Sequence, residues 1–393
     1  DLFHQTCFRT ENDCVGGATS AEDQEGHGTH VAGMITGLNG VAPDAEFAAL
    51  KVFTTGSTSD TNILNALDYI VDNDATLDID LVNMSLGGDN FPDQATCDAN
   101  SAAYVTAFAE LNALGIAVFV ATGNDAQIDE IGSPGCATGA VGVGSTGDAT
   151  FNVSFSACTD NAAPDKVSCY SNATPVQGAG ELVDLLAPGC MIDSAGLNGA
   201  DGAQNCGTSM ATPYAVGVAA LILEYAQDNA IALSPALLEA HLEETGVPVL
   251  DYRIANSPNY PRVSPPNAIG ALAIGAPANF AITGTTTTTV SMGWNAVTGA
   301  TEYRVYRIAS GEPATLAGTV PTGTTTFTDN TAPCGELTYF VKTFDGSFES
   351  LPSNSDSDVA RACPITPTAL ALQVVDADSI TLSWNDDATD ETG

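Results

Sequence analysis

Up to about Leu272 the chain alternates short, uninterrupted apolar runs with longer stretches of helical periodicity. Runs at Phe47–Phe53, Leu81–Leu86, Ala117–Ala121, Ala140–Gly144 and Leu182–Leu186 predict strands, and the patterns at Thr61–Asp72 and Ser101–Leu114 predict helices between the early ones. Apolar strands without polar alternation need cover on both faces. With helices between them, they predict an α/β fold: a mostly parallel sheet with helices on each side. A longer helix is expected at Ser209–Asp228, small and apolar nearly all round, which belongs in the interior. The strongest apolar run, Ala215–Leu223, falls well short of the roughly 18 residues that span a bilayer, so no membrane span is expected.

Near Gly275 the pattern changes. Helical periodicity disappears, Thr, Val, Gly and Pro dominate, and Tyr303-Arg304-Val305-Tyr306-Arg307 and Tyr339-Phe340-Val341-Lys342 alternate as half-buried strands do. Val290-Ser291-Met292-Gly293-Trp294-Asn295 is echoed by Ile380-Thr381-Leu382-Ser383-Trp384-Asn385, and Pro277 by Pro367, a period of 90 residues (290 to 380, 277 to 367). That is the length of a small β-sandwich and too long for a solenoid unit. A Trp on an early strand, a Tyr-x-Val-Tyr strand and a Tyr-bearing late strand resemble a fibronectin type III domain. The expected organisation is an α/β domain at 1–274, a fibronectin type III-like β-sandwich at 275–363 and the truncated start of a second at 364–393. Two strands cannot stand alone, so the natural chain is expected to continue past Gly393.

Charge narrows the function classes. Asp and Glu number 48 against 9 Lys and Arg, a net charge of −39. No basic stripe exists to neutralise phosphates, which excludes a nucleic-acid binder, and an anionic membrane would repel the surface. Such a surface suits a saline or cation-rich medium, where salt screens self-repulsion. The ten cysteines show neither C-x-x-C nor zinc-site spacing. An even count of this kind implies disulfides, an oxidising compartment and a secreted, extracellular protein. The chain opens at Asp1 without a leader, so either a leader has been removed or the sequence is a fragment.

Three segments carry candidate chemistry: Gly26-His27-Gly28-Thr29-His30-Val31-Ala32-Gly33, Ala121-Thr122-Gly123-Asn124 and Gly207-Thr208-Ser209-Met210-Ala211-Thr212-Pro213. Taken singly each is an ordinary turn or helix start. Taken together they form a constellation. Ser209 opens a buried helix, where unpaired N–H groups point outward and the dipole is positive. Its own N–H can serve a developing oxyanion, and Pro213 is tolerated in that first turn. A serine hydroxyl needs a neighbouring base, and histidine is the natural one near neutral pH. His27 is the candidate base; His30 is expected to be structural. The pair lacks the i, i+4 spacing and intervening Glu of the HExxH zinc motif. Asn124 follows an apolar strand, at the carboxyl end where α/β proteins place their sites, and its amide can supply a second oxyanion donor. Ser85-Leu86-Gly87-Gly88 ends another strand in the same way. Its glycines are expected to bare a backbone edge on which an extended peptide could pair.

In this order the segments resemble the subtilisin-like serine proteases, including the proteinase K branch, over roughly His27–Leu272. The resemblance implies that His27 is the general base, Ser209 the nucleophile and Asn124 the side-chain donor of the oxyanion hole. Ser85, Leu86, Gly87, Gly88, Ala121, Thr122 and Gly123 would line the primary specificity pocket and its backbone edge. The implied reaction is hydrolysis of peptide bonds in protein or peptide substrates through an acyl-enzyme, with no cofactor for the chemistry. Structural calcium is implied by resemblance alone, since no D-x-[DN]-x-[DN]-G loop is present and no ligands stand out. Cys97–Cys136 would match a pairing in secreted relatives. Cys190–Cys206 would stiffen the approach to Ser209, Cys334–Cys363 would lie in the sandwich, and Cys7–Cys14 and Cys158–Cys169 would be local.

One element of the pattern is missing. The family's Asp ends an apolar first strand ahead of the His, and none of Asp1, Asp13 and Asp23 stands in that setting. Asp1-Leu2 resembles the segment after that strand, so the strand and its Asp are expected upstream of Asp1. The alternative is a catalytically dead peptidase-like binding or adhesion protein, its fibronectin-like domains holding a polymer or other proteins.

Overall fold

The computed structural model describes residues 2–9, 14, 16–54, 56–175, 182–200, 203–286, 288–359, 368–376 and 379–385. The chain divides into two compact units, Asp1–Gly270 and Ala271–Gly393.

The first half of unit one runs β1 (Leu2–Cys7), α1 (His27–Thr36), β2 (Phe47–Lys51), α2 (Asp60–Asp72), the single turn α3 (Asp74–Leu77) and β3 (Leu81–Met84). Next come β4 (Asn90–Phe91), α4 (Gln94–Asn100), α5 (Ala102–Ala113), β5 (Ala117–Ala121), β6 (Ile131–Gly132) and β7 (Ala140–Gly147). The hairpin β8 (Phe151–Ser154) and β9 (Thr159–Ala162) leads to β10 (Leu185–Ser194), β11 (Ala203–Cys206) and α6 (Thr208–Asp228). Then α7 (Pro235–Thr245), the hairpin β12 (Val247–Leu250) and β13 (Asn259–Arg262), and α8 (Pro265–Leu272) close the series.

The main sheet has the order β12-β13-β10-β7-β5-β3, with β11 on β10. Its centre is parallel, as the unbroken apolar runs require, with Val82 opposite Val118, Val120 opposite Gly142 and Leu186 opposite Gly144. All five residues of β5 are buried. The edge is antiparallel at β11 and β12. β10 starts three residues later than the apolar run suggests and continues to Ser194, because its far half finds a second partner in β11. α6 packs against β3, β5, β7 and β10. Its Gly217 has a particular reason: a Cβ there would stand 2.6 Å from Val41 Cβ. Among the described helices α6 alone is long and apolar enough to cross a membrane. Most of its residues are buried inside the unit instead.

One expected strand takes a different place. β2 does not join the main sheet; it pairs in parallel with β1 as a two-stranded sheet. Between β2 and β3 lies a cavity of about 1810 Å³, lined also by Ile63, Leu67 and Ile70 of α2 and by Val216 and Leu223 of α6.

Unit two is built from antiparallel strands. β14 (Ala281–Thr285), β15 (Val290–Gly293) and β18 (Thr326–Asp329) form one sheet in the order β14-β15-β18. β16 (Glu302–Ala309), β17 (Thr315–Pro321), β19 (Glu336–Phe344) and β20 (Asp356–Val359) form another, β17-β16-β19-β20. Val290 and Met292 share a buried cluster with Trp294, Tyr303, Val305, Leu337, Tyr339 and Val341, so the two sheets share one core. Trp294 meets Tyr303 edge-on with ring centres 5.5 Å apart, and the Val297 N–H donates to the Tyr303 hydroxyl at 2.8 Å. A separate pair, β21 (Thr368–Asp376) and β22 (Ser379–Asn385), is antiparallel.

Disulfides join Cys7–Cys14, Cys97–Cys136, Cys158–Cys169 and Cys190–Cys206, the four pairings expected in the first unit. Cys334 is disulfide-bonded; its expected partner Cys363 lies outside the described residues.

Candidate active site

The start of α6 is the meeting point. Gly207 caps the helix, and the Thr208 N–H and hydroxyl both donate to Asn124 Oδ1, at 2.8 and 3.1 Å. With that oxygen engaged, the amide nitrogen of Asn124 is its free donor, on an exposed side chain just beyond β5. Ser209 Oγ donates to the Ser85 carbonyl at 3.5 Å, while Ser85 Oγ donates to the Ser209 carbonyl at 2.8 Å. Asn83 Nδ2 in turn holds Ser85 Oγ at 3.1 Å. The Ser209 N–H has no backbone partner among the described residues, as expected in a first helical turn. Ser209, Asn124 and Ser85, from three distant stretches of chain, therefore converge on one helix end.

His27 is the first residue of α1 and is exposed. That helix start is held by Asp23, a residue to which the sequence reading gave no role. Asp23 Oδ1 accepts from the Glu25 and Gly26 N–H groups (2.9 and 3.0 Å), and Oδ2 accepts from the Thr29 N–H and hydroxyl (both 2.8 Å). Partial burial pushes the Asp23 carboxyl up, but the donors from Gly26, Thr29 and Glu25 outweigh it and hold it below the usual range. The signal for this cap was an Asp just ahead of a helix start. Around His27 the surrounding protein excludes water and lowers the imidazole pKa, against the opposing pull of the Asp23 carboxylate. His30 is fully buried; its Nε2 lies 3.2 Å from the Ile192 carbonyl, in keeping with a structural part.

Val31 and Met34, in the second turn of α1, pack with Met210 in the first turn of α6. His27 also shares the large cavity with Ser85, Leu86 and Gly87. No hydrogen bond joins the His27 ring to Ser209 Oγ, and no carboxylate among the described residues hydrogen-bonds that ring. Catalytic hydrogen bonds are often long in unliganded sites and tighten when substrate arrives.

The rim differs in one respect from a bare edge. The Gly88 N–H donates to the Ser133 carbonyl at 2.7 Å, and the Ser133 N–H donates to the Asp89 carbonyl at 2.8 Å. Gly88 is thus already paired within the chain. Ala121 and Thr122 are buried, Thr122 Oγ1 donating to the Asn172 carbonyl at 3.3 Å, and Gly123 turns the chain with φ +108°.

A separate acidic group brings ligand atoms of Asp184, Glu239 and Glu243 within 4.8 Å of one another. Burial pushes the Glu239 carboxyl up to about 7. Asp184 Oδ2 accepts from the Gly142 N–H at 2.6 Å. Three close carboxylates are hard oxygen donors of the kind calcium prefers.

A family model described as the subtilase family matches residues 5–297. Subtilisin E of Bacillus subtilis is 34% identical over 212 residues, 51% of this chain and 46% of that protein. An extracellular serine proteinase of a Thermus species is 33% identical over 216 residues, 54% of this chain and 45% of that protein. The chain spans about half the length of these curated relatives. Among solved structures, sphericase superposes with a TM-score of 0.51 at 26% identity, covering 67% of this chain and 83% of that one.

Proposed function

Because the chain belongs to the subtilase family, a family of serine proteases of subtilisin-like α/β fold, we propose that it is a secreted serine endopeptidase of the proteinase K-like branch. The observation that carries this reading is the convergence of Asn124, Ser209 and Ser85 at the start of α6. Ser209 Oγ attacks the scissile carbonyl of a protein or peptide substrate and passes its proton to His27. The Asn124 amide nitrogen and the Ser209 N–H receive the oxyanion. His27 then returns the proton to the departing amine, leaving an acyl-enzyme that water hydrolyses. Ser85–Gly88 and Ala121–Gly123 border the substrate. The carboxylate that would orient His27 is not among the described residues.

Secretion is supported by the disulfides, by a net charge of −39 and by the extracellular Thermus relative. The chemistry of subtilases needs no cofactor. For structural calcium we assign Asp184, Glu239 and Glu243 as the ligands. Residues 1–274 would form the peptidase domain and 275–363 a fibronectin type III-like β-sandwich that binds a polymer or other proteins, with 364–393 beginning a second. The alternative, a peptidase-like binding or adhesion protein without activity, is favoured by one observation only, the lack of a carboxylate on His27. Hydrolysis of an unfolded protein such as reduced casein separates the two. Cleavage by the purified full-length natural protein, absent from its Ser209→Ala variant, supports the peptidase; no cleavage by that protein when folded supports the binder.

A further inference from the structure

A second amide lies beneath the loop that carries Asn124. Asn172 is fully buried. Its Oδ1 accepts from the N–H groups of Asp125 (2.9 Å) and Gln127 (3.2 Å), and its Nδ2 donates to Asn90 Oδ1 (2.9 Å). Its own N–H donates to the Gly123 carbonyl at 3.0 Å. The residues on both sides of Asn124 are therefore tied to one residue. A Cβ at Gly123 would collide with the Asn172 amide nitrogen, which makes glycine necessary there for contact as well as for its positive φ.

The stretch that supplies Asn172 is itself anchored. Arg253 Nη1 donates to the carbonyls of Ser168 (2.8 Å), Cys169 (3.0 Å) and Ser171 (2.8 Å). Buried Asp251 holds the same guanidinium through Nε and Nη2, at 2.9 and 2.6 Å. Cys169 is bonded to Cys158, and the Tyr170 hydroxyl donates to the Gly189 carbonyl at 3.0 Å. Charge-assisted bonds to three carbonyls give Asn172 a fixed base from which to hold a loop.

The geometry points to Asn172 as a positioning residue for the oxyanion hole, fixing Gly123–Gln127 so that the Asn124 amide nitrogen faces the start of α6. It touches no substrate and acts only through Asn124. The inference rests on the peptidase reading and deepens it. Misplacement of a reacting partner by about 1 Å costs on the order of 100-fold, and loss of one oxyanion donor about 10²–10³-fold.

The test uses the full chain and two readouts: amide exchange at Asp125 and Gln127, and the rate at which Ser209 reacts with diisopropyl fluorophosphate. Asn172→Ala is expected to speed exchange at both amides at least about 10-fold and to slow the maximal labelling rate about 30-fold, with the half-saturating concentration unchanged. Asn124→Ala/Asn172→Ala should label no more slowly than Asn124→Ala alone, because a residue that works through Asn124 has nothing left to position. Unchanged exchange, an unchanged rate, or multiplicative losses in the double variant would overturn the assignment. Should Asn172→Ala fail to fold, Asn90→Ala removes the acceptor of Asn172 Nδ2 together with the Asn90 Nδ2 donor to Asp125 Oδ2 (3.2 Å), and Asp125→Ala, which removes the second bond alone, is its control. Asn90→Ala should slow labelling about 5-fold, and not at all in the Asn124→Ala background; an unchanged rate overturns the assignment. A folded wild-type chain that does not label, with both amides protected, instead sinks the peptidase reading and the functional half of this inference with it.

Discussion

The two halves of the candidate site are built to different standards. Around Ser209 and Asn124 a chain of side-chain hydrogen bonds fixes the groups, Asn124 on Thr208, Ser85 on Ser209 and Asn83 on Ser85, and leaves the Asn124 amide nitrogen and the Ser209 N–H as donors. Around His27 the order stops at the backbone. Asp23 holds the helix start with four hydrogen bonds, yet among the described residues the ring itself receives no hydrogen bond from Ser209 or from a carboxylate. On the proposed reading, the first half would stabilise an oxyanion and the second would supply the base. Electrostatic preorganisation is the larger single contribution in acyl transfer, so the tighter half is where the chain should tolerate change least.

Removing the nucleophile is the sharpest break. Ser209→Ala should abolish fluorophosphonate labelling and peptide hydrolysis altogether, measured against a wild-type control of equal Tm; residual activity would place the nucleophile elsewhere. Asn124→Ala should slow labelling about 10²–10³-fold, roughly 3–4 kcal/mol of transition-state stabilisation, and lower the Tm by a few degrees through the lost bonds to Thr208. A loss under 10-fold would show that the tight half is structural.

The base half is better probed by pH. Neutral imidazole is the active form, and the surrounding protein, by keeping part of the water from the exposed His27 ring, lowers its pKa. The labelling rate should therefore rise with pH along a limb whose midpoint lies below the ordinary histidine value of about 6.5. Asp23→Asn removes the anion that favours imidazolium and should move that limb to still lower pH. A shift upward would contradict the electrostatic picture. Asp23→Ala should also cost about 1 kcal/mol of stability through the lost cap, read by denaturant unfolding. The smallest effect concerns the acidic group. Calcium should raise the Tm of the wild-type chain by a few degrees, and Glu239→Gln should remove most of that increment. Equal increments in both proteins would exclude these ligands.

Much of this arrangement is readable in the chain itself, for identifiable reasons. β5 is five consecutive apolar residues and could hardly be anything but a buried strand. α6 announces itself by small apolar residues over several turns, and the motif at Gly207–Pro213 marks its start to within one residue. Of the cysteine pairs of the first unit, Cys97–Cys136 is legible only through the resemblance, while Cys7–Cys14 and Cys158–Cys169 are near neighbours along the chain. What escaped notice depends on distant pairing. β1 carries His4, Gln5 and Thr6 and has no apolar run to mark it; it is a strand because β2 lies beside it. β2 in turn looked like a member of the main sheet, since an apolar run does not say which neighbour it will meet. The Gly88 N–H looked free until Ser133 arrived from another loop. Asn172 sits in a polar Ser-Asn-Ala-Thr stretch that carries no motif, and only the fold puts it under Gly123.

The most direct test is peptide mapping of the full-length natural protein after reaction with diisopropyl fluorophosphate, with folding verified beforehand. The account predicts a single phosphorylated peptide carrying the adduct on Ser209, with none in chain first denatured. An intact, folded chain that carries no adduct, or carries it on another residue, would contradict it.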